Sequence, residues 1–188
     1  MMVAAAQPQS VSASSMTASV AQPAGRIPAT AVTAARYDGY ARARFGMTEQ
    51  AFTKVLPGKL QRQTQVTSGC YYAYPQWAEH GFHFNLGFMF VDGHFVRYDV
   101  AEAALIAPGG GRVGMSLAQI HALYGVHVVE GPRDYFNSGI PEEAKAKSLR
   151  VHAPAGAAVL LFETDVQGKV EDWRVGVPPA VDAMEGCS

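Results

Sequence analysis

The sequence predicts an α+β fold made of two tandem helix–β-meander repeats, with short helices packed on an antiparallel sheet. Three observations predict it. A helix signature occurs twice, an alternating strand and hairpin follows each copy, and all nineteen aromatic residues lie between Tyr37 and Trp173. Of the 188 residues, 48% are hydrophobic and 16% charged, with 15 Lys and Arg against 16 Asp and Glu for a net charge of −1. A chain of this size buries about two-thirds of its extended surface, in one large unit or two small ones. The near-neutral balance excludes nucleic acid as the main partner, because phosphate binding needs a clustered basic excess. No run approaches the roughly 20 apolar residues of a membrane helix.

Residues 1–35 hold eleven Ala, one charge (Arg26) and no aromatic residue. So little apolar surface cannot offset the entropy of ordering. The expected organisation is therefore a disordered leader over 1–36, a first repeat over 37–107, and a second over 108–188 with a C-terminal tail. Met2-Val3-Ala4-Ala5-Ala6-Gln7 reads equally as the end of a secretory signal, with Ala4-x-Ala6 as its cleavage site, and as an ordinary Ala-rich start. The expected location is periplasmic or secreted, with only the end of a signal peptide retained.

The first helix signature is Gly46-Met47-Thr48, with Phe52, Val55 and Leu56 on one apolar face and Gly58 closing it. The second is Gly114-Met115-Ser116, with Ile120, Leu123 and Tyr124 on the face and Gly125 at the end. Thr48 and Ser116 have the side chains of N-caps, and Ser116-Leu117-Ala118-Gln119 reads as a capping box. Each helix is two or three turns long, so packing must hold it. After the first, Phe82, Phe84, Leu86, Phe88 and Phe90 alternate with His83, Asn85, Gly87 and Met89, Asp92-Gly93 makes the turn, and Val96, Tyr98 and Val100 return. After the second, residues 157–164 give a strand, 165–168 the turn and 169–175 the return. Gly93 then corresponds to Gly168, Tyr98 to Trp173 and Val100 to Val175. Residues 137–149 read as an exposed loop with a short charged helical turn.

The two cysteines, Cys70 and Cys187, are read either as one disulfide of an oxidising compartment or as two separate buried thiols. The bridge is preferred because the tail has little else to tie it down. Closing so long a loop stabilises by about 4–5 kcal/mol through the entropy of the unfolded chain.

The duplicated Gly-Met-hydroxyl helix followed by an antiparallel meander resembles the β-lactamase-inhibitor-protein-like fold, over roughly residues 45–178. It also resembles the small lipoprotein subunit of the bacterial outer-membrane assembly machine, although that protein has one copy and a lipid-attached cysteine. Cys70-Tyr71-Tyr72 and Glu185-Gly186-Cys187 look like segments of uncharacterised secreted bacterial proteins built this way. The resemblance implies a secreted or cell-envelope protein that binds another macromolecule.

Recognition chemistry concentrates in Tyr71-Tyr72-Ala73-Tyr74-Pro75-Gln76-Trp77, since Tyr and Trp give stiff contact area with a polar handle. The candidate binding residues are Tyr71, Tyr72, Tyr74, Trp77 and His83. In an extended chain Tyr72 and Tyr74 share a face and Tyr71 takes the other. His80, His83, Glu79 and His94 match no zinc spacing, and Gly109 to Ser116 approaches a phosphate loop but has Met115 where the Lys belongs. No G-x-S-x-G elbow occurs, and the pairs Glu142-Glu143 and Glu171-Asp172 read as solvated surface charge. No catalytic residue, metal or cofactor is assigned. The expected function is a periplasmic or secreted protein-binding module, an inhibitor or immunity-like partner of an envelope or secreted enzyme. The alternatives are a structural or assembly component of the envelope, and a small hydrolase or carbohydrate-binding domain.

Overall fold

A computed structural model of the chain describes residues 26–56, 58–63, 69–80, 83–133 and 145–187. The leader over 1–25 and the loop over 137–144, with Glu142 and Glu143, lie outside the described residues, as do the His80 and His83 side chains. The fold is α+β. Strands β1 (Leu60–Arg62), β2 (Cys70–Pro75), β3 (Leu86–Val91) and β4 (His94–Val100) follow helix α1 (Glu49–Val55). Strands β5 (Val128–Pro132), β6 (Lys147–His152), β7 (Val159–Thr164) and β8 (Val170–Gly176) follow helix α2 (Leu117–Tyr124). All eight strands form one antiparallel sheet in the order β5-β6-β7-β8-β4-β3-β2-β1. Lys147, Ser148 and Leu149, read above as loop, belong to β6, where Leu149 is buried opposite Phe162. Their single apolar residue among polar ones left no alternation to read.

The two meanders meet through their last strands. Val100 lies opposite Trp173, Asp99 opposite Arg174 and Tyr98 opposite Val175. Because Tyr98 corresponds to Trp173 and Val100 to Val175, a two-fold rotation through the Asp99–Arg174 pair exchanges the flanking pairs. The repeats are thus joined edge to edge about an approximate dyad, and the pairing removes the exposed edge that each meander would otherwise present.

The Gly-Met-hydroxyl signature does the same work in each half. Gly46 N–H donates to Phe95 O at 2.8 Å, Phe95 N–H to Met47 O at 2.9 Å, and Glu49 N–H to Gly93 O at 3.0 Å. In the second half Gly114 N–H donates to Val170 O at 2.7 Å, Val170 N–H to Met115 O at 2.9 Å, and Leu117 N–H to Gly168 O at 3.1 Å. The helix entry is stitched to the hairpin that follows it. Gly46 and Gly114 sit at φ +85° and +86°, a left-handed backbone that costs an L-residue. Thr48 Oγ1 accepts the Ala51 N–H, and Ser116 with Gln119 completes the capping box.

Both helices cover the same face of the sheet. Phe52 of α1 is fully buried, with the rings of Phe88, Phe90 and Phe95 at 5.0, 5.2 and 4.7 Å. Ile120 and Tyr124 of α2 face Leu149, Leu160 and Phe162 within the same core. The Tyr124 hydroxyl donates to Pro108 O and accepts the Gly111 N–H, so the glycine run closes over an aromatic ring.

Residues 26–47 complete this layer. Ala29–Val32 is a helical turn, and Ala35–Arg36, Gly39–Tyr40 and Ala43–Arg44 form a small three-stranded sheet. Composition placed residues 29–36 in the leader, yet Ala31 and Ala34 are buried and the Tyr40 hydroxyl donates to Ala31 O. The segment has little apolar area of its own, and its alanines are small enough to let Tyr40 lie against Phe88 and Tyr98.

Candidate interaction face

With the helices on one side, the opposite face of the sheet carries every second residue of each strand. On the central strands these are Arg97 and Asp99 of β4 and Asp172 and Arg174 of β8. Glu163 of β7 and Ser148 of β6 extend the row outward. Arg97 is 3% exposed, and Glu163 and Arg174 are 5% exposed. Charges so buried must be paired and hydrogen-bonded. Arg97 forms a two-armed contact with the Asp99 carboxylate. Arg174 Nη2 donates to Glu163 Oε1 at 3.0 Å, and the Ser148 hydroxyl donates to Glu163 Oε2 at 2.8 Å. Arg133, just beyond β5, reaches Glu163 at 3.3 Å, Asp172 at 3.4 Å, and Glu171. Burial raises the Asp172 carboxyl to about 6, against the pull of Arg133 and Arg174 and with the push of Glu163 and Asp99. Asp172 is therefore a strand residue within a charge network, a different environment from solvated surface charge.

The C-terminal tail, residues 177–187, lies over the middle of this face. Val177 N–H donates to Val96 O, and the Val181 side chain is fully buried against Val159 and Leu161. Arg97 Nη1 donates to Ala180 O at 2.9 Å and also to Ala183 O, while Arg174 Nε donates to Val181 O at 2.8 Å. Arg150 of β6 pairs with Asp182. Gly186 rests so close to Tyr72 that a Cβ there would stand 2.7 Å from the hydroxyl. Beyond it, Cys187 is disulfide-bonded to Cys70, so the tail is anchored at both ends.

Beside the tail the face opens into a cleft of about 280 Å³, floored by Ser148, Arg150 and Leu161 and walled by Val129, Asp182 and Met184. Val129 is 57% and Met184 42% exposed. Among the described residues, β5 is the last strand of the sheet at this end.

At the other end stand the aromatic candidates. Tyr72 and Tyr74 share the outer face with Phe84, at centroid distances of 4.9 and 5.6 Å. The Tyr72 hydroxyl donates to Asp99 at 3.0 Å, and burial first, then Asp99, raises its pKa. Tyr74 is half-buried. Tyr71 points the other way, stacked on Phe90 with the Arg62 guanidinium 3.6 Å over its ring. Its hydroxyl donates to Glu49 at 2.6 Å, and burial with that bond pushes it up to about 12. Trp77, in a short helical turn, packs half-buried against the core. His83 pairs by backbone with His80 in a short ladder. The outer face thus brings Tyr72 and Tyr74 together and leaves Tyr71 and Trp77 on the core side. Among the described residues, no group of three or more His, Cys, Asp or Glu could hold a metal ion.

Sequence reasoning did not single out Arg97, Asp99, Glu163 and Arg174. A signal was present: Arg97 and Asp99 alternate with Val96, Tyr98 and Val100, and at the corresponding positions Asp172 and Arg174 have the reverse signs.

No protein-family model matches the chain, and no curated protein does. Among solved structures it is similar to the uncharacterized protein yfeY from Escherichia coli, at a TM-score of 0.44 and 14% identity, covering 78% of this chain and 99% of that one. It is also similar to an extracellular protein containing an SCP domain from Bacillus anthracis, at a TM-score of 0.42 and 10% identity, covering 71% of this chain and 44% of that one.

Proposed function

We propose that this protein is a periplasmic or secreted protein-binding module that engages its partner through the outer face of the sheet, as an inhibitor or immunity-like partner of an envelope or secreted enzyme. The observation that carries this reading is the asymmetry of the sheet. One face is sealed by α1, α2 and residues 26–47. The other holds a fixed pattern of charges, an open cleft with exposed Val129 and Met184, and the aromatic group of Tyr72, Tyr74 and Phe84. Rigid aromatic and Arg anchors beside a desolvated patch are the usual energetic centre of a protein interface. The Cys70–Cys187 disulfide fits an oxidising compartment, and no described helix is long and apolar enough to cross a membrane. Two helix-capped meanders on one sheet support the resemblance to the β-lactamase-inhibitor-protein-like fold.

The test is capture of a partner from envelope and secreted fractions by the intact protein, repeated with variants. Tyr74→Asp and Arg150→Glu, on the outer face, should abolish recovery of any specific partner, and Leu123→Asp, on the helix side, should leave it unchanged. A partner lost only with Leu123→Asp would move the interface to the other side of the molecule and defeat this reading.

A further inference from the structure

The tail meets the sheet as a bound peptide would. It presents three main-chain carbonyls to two guanidinium groups, places one β-branched side chain in an apolar socket, and offers one carboxylate to Arg150. Those contacts say what kind of ligand the face takes. Arg97 is paired with Asp99, and Arg174 with Glu163, which Arg133 shares, so the remaining N–H donors of Arg97 and Arg174 match neutral carbonyl groups. An anion in the same place would stand beside the buried Glu163 and partly buried Asp99 carboxylates and be repelled. The socket of Val159 and Leu161 then selects an aliphatic side chain, and Arg150 selects an acidic residue directly after it.

We propose that residues 177–187 are a displaceable resident of a peptide-binding site on the outer face, held by the Cys70–Cys187 bond and released by a dithiol. The site then takes a partner segment that forms the same single helical turn, with an aliphatic residue followed by an acidic one, as Val181-Asp182 are in the turn Ala180–Asp182. This rests on the reading of the outer face as a protein-binding surface and names the partner's chemistry. Both cysteines are half-buried, so the bond stands at the boundary with solvent. A thiolate of the dithiol attacks one sulfur; the S–S bond breaks, a mixed disulfide forms, and the other cysteine leaves as a thiolate that takes a proton. The second thiol then resolves the mixed disulfide, frees the remaining cysteine as a thiol and leaves the reductant as its own disulfide. Two electrons pass to the protein. Before release, the two anchors hold the tail at an effective concentration on the order of millimolar or more, which a free peptide cannot match.

The experiment uses full-length protein and a fluorescent peptide with the sequence of residues 177–187, serine replacing its cysteine. On reduction, amide exchange in residues 180–186 should accelerate at least tenfold while β3, β4, β7 and β8 keep their protection. The peptide should bind reduced protein and the Cys187→Ser protein at least tenfold more tightly than oxidised protein. Adding Val181→Asp to the Cys187→Ser protein cripples the resident and should tighten peptide binding further. The same change in the peptide should abolish binding. Unchanged exchange in residues 180–186 on reduction would overturn the proposal, as would equal binding to oxidised and reduced protein. Loss of sheet protection on reduction would also overturn it, because the tail would then be a strut of the fold. If the peptide fails while a partner is still captured through Tyr74 and Arg150, this inference falls and the protein-binding reading stands.

Discussion

The two halves share a plan and fill it differently. In the first, the space between helix and sheet is packed with rings: Phe52, Phe88, Phe90, Phe95 and Tyr98, with Tyr40 and Phe45 added from the N-terminal segment. In the second, Ile120, Leu149, Val151, Leu160, Val170 and Val175 take over, and the rings are fewer: Phe162 with Tyr124, and Trp173 edge-on to Tyr98 of the first half. The outer faces differ in the opposite sense. The first half closes its face with Tyr72, Tyr74 and Phe84, and the second leaves Ser148, Arg150, Leu161 and Glu163 around a cleft. A duplicated scaffold can commit one copy to stability and leave the other free to carry a surface, because each needs only its entry stitch and hairpin to keep its shape.

Truncation of the two helix anchors tests that contrast most strongly. Phe52→Ala should cost about 3–5 kcal/mol and Ile120→Ala a lower value within about 2–5 kcal/mol, by urea unfolding. Both should shift one shared transition, since β4 and β8 are paired; two separate transitions would show that the halves fold independently. Gly46→Ala and Gly114→Ala come next. Neither site has an atom within 4 Å of an added Cβ, so only the left-handed backbone is penalised, by about 1–2 kcal/mol in each half. Unequal costs would break the equivalence of the stitches. The caps should separate the halves again. Ser116→Ala loses a reciprocal box and should cost about 1–2 kcal/mol, and Thr48→Ala, with a single bond, about 0.5–1 kcal/mol.

The smallest effect is one of pH. Asp172 titrates near 6 in the folded state, above its unfolded value, so the folded protein holds its proton more tightly. The contribution of Asp172 to stability is greatest at acid pH and falls as pH rises from about 4 to about 6. Asp172→Asn should flatten that part of the stability profile. Asp172 is one-third exposed, so the change is small. An identical profile in the variant would show that Asp172 titrates normally.

Much of the local structure was legible. Thr48 and Ser116 cap because a hydroxyl two or three residues ahead of a free N–H can satisfy it whatever the rest of the chain does. Asp92-Gly93 turns because its backbone needs positive φ at both positions, and both have it, at +49° and +76°. The candidate site was legible only in part. The alternation of Tyr71 and Tyr72 separated their faces, but the burial of Tyr72 depends on Gly186, more than a hundred residues away. Residues 29–36 were misread because alanine marks no face; its burial is decided by what comes to lie on it.

The sequence by itself determined the two helices with their caps and the hairpin that follows each, since these depend on hydrogen bonds and side-chain periods within a few residues. The same period put Phe84 on the inward face, whereas the chain breaks at Asn85 and Phe84 lies outward beside Tyr72 and Tyr74. Only the tertiary structure decided that β4 pairs with β8, that the tail crosses the outer face, and that Arg97 and Arg174 are buried beneath it. Strand edges offer the same N–H and C=O groups to any partner, so the choice between partners is made by what the pairing buries. The reversed charges, Arg97 and Asp99 against Asp172 and Arg174, were the trace of that choice in the sequence. They became readable once the dyad set Asp99 opposite Arg174.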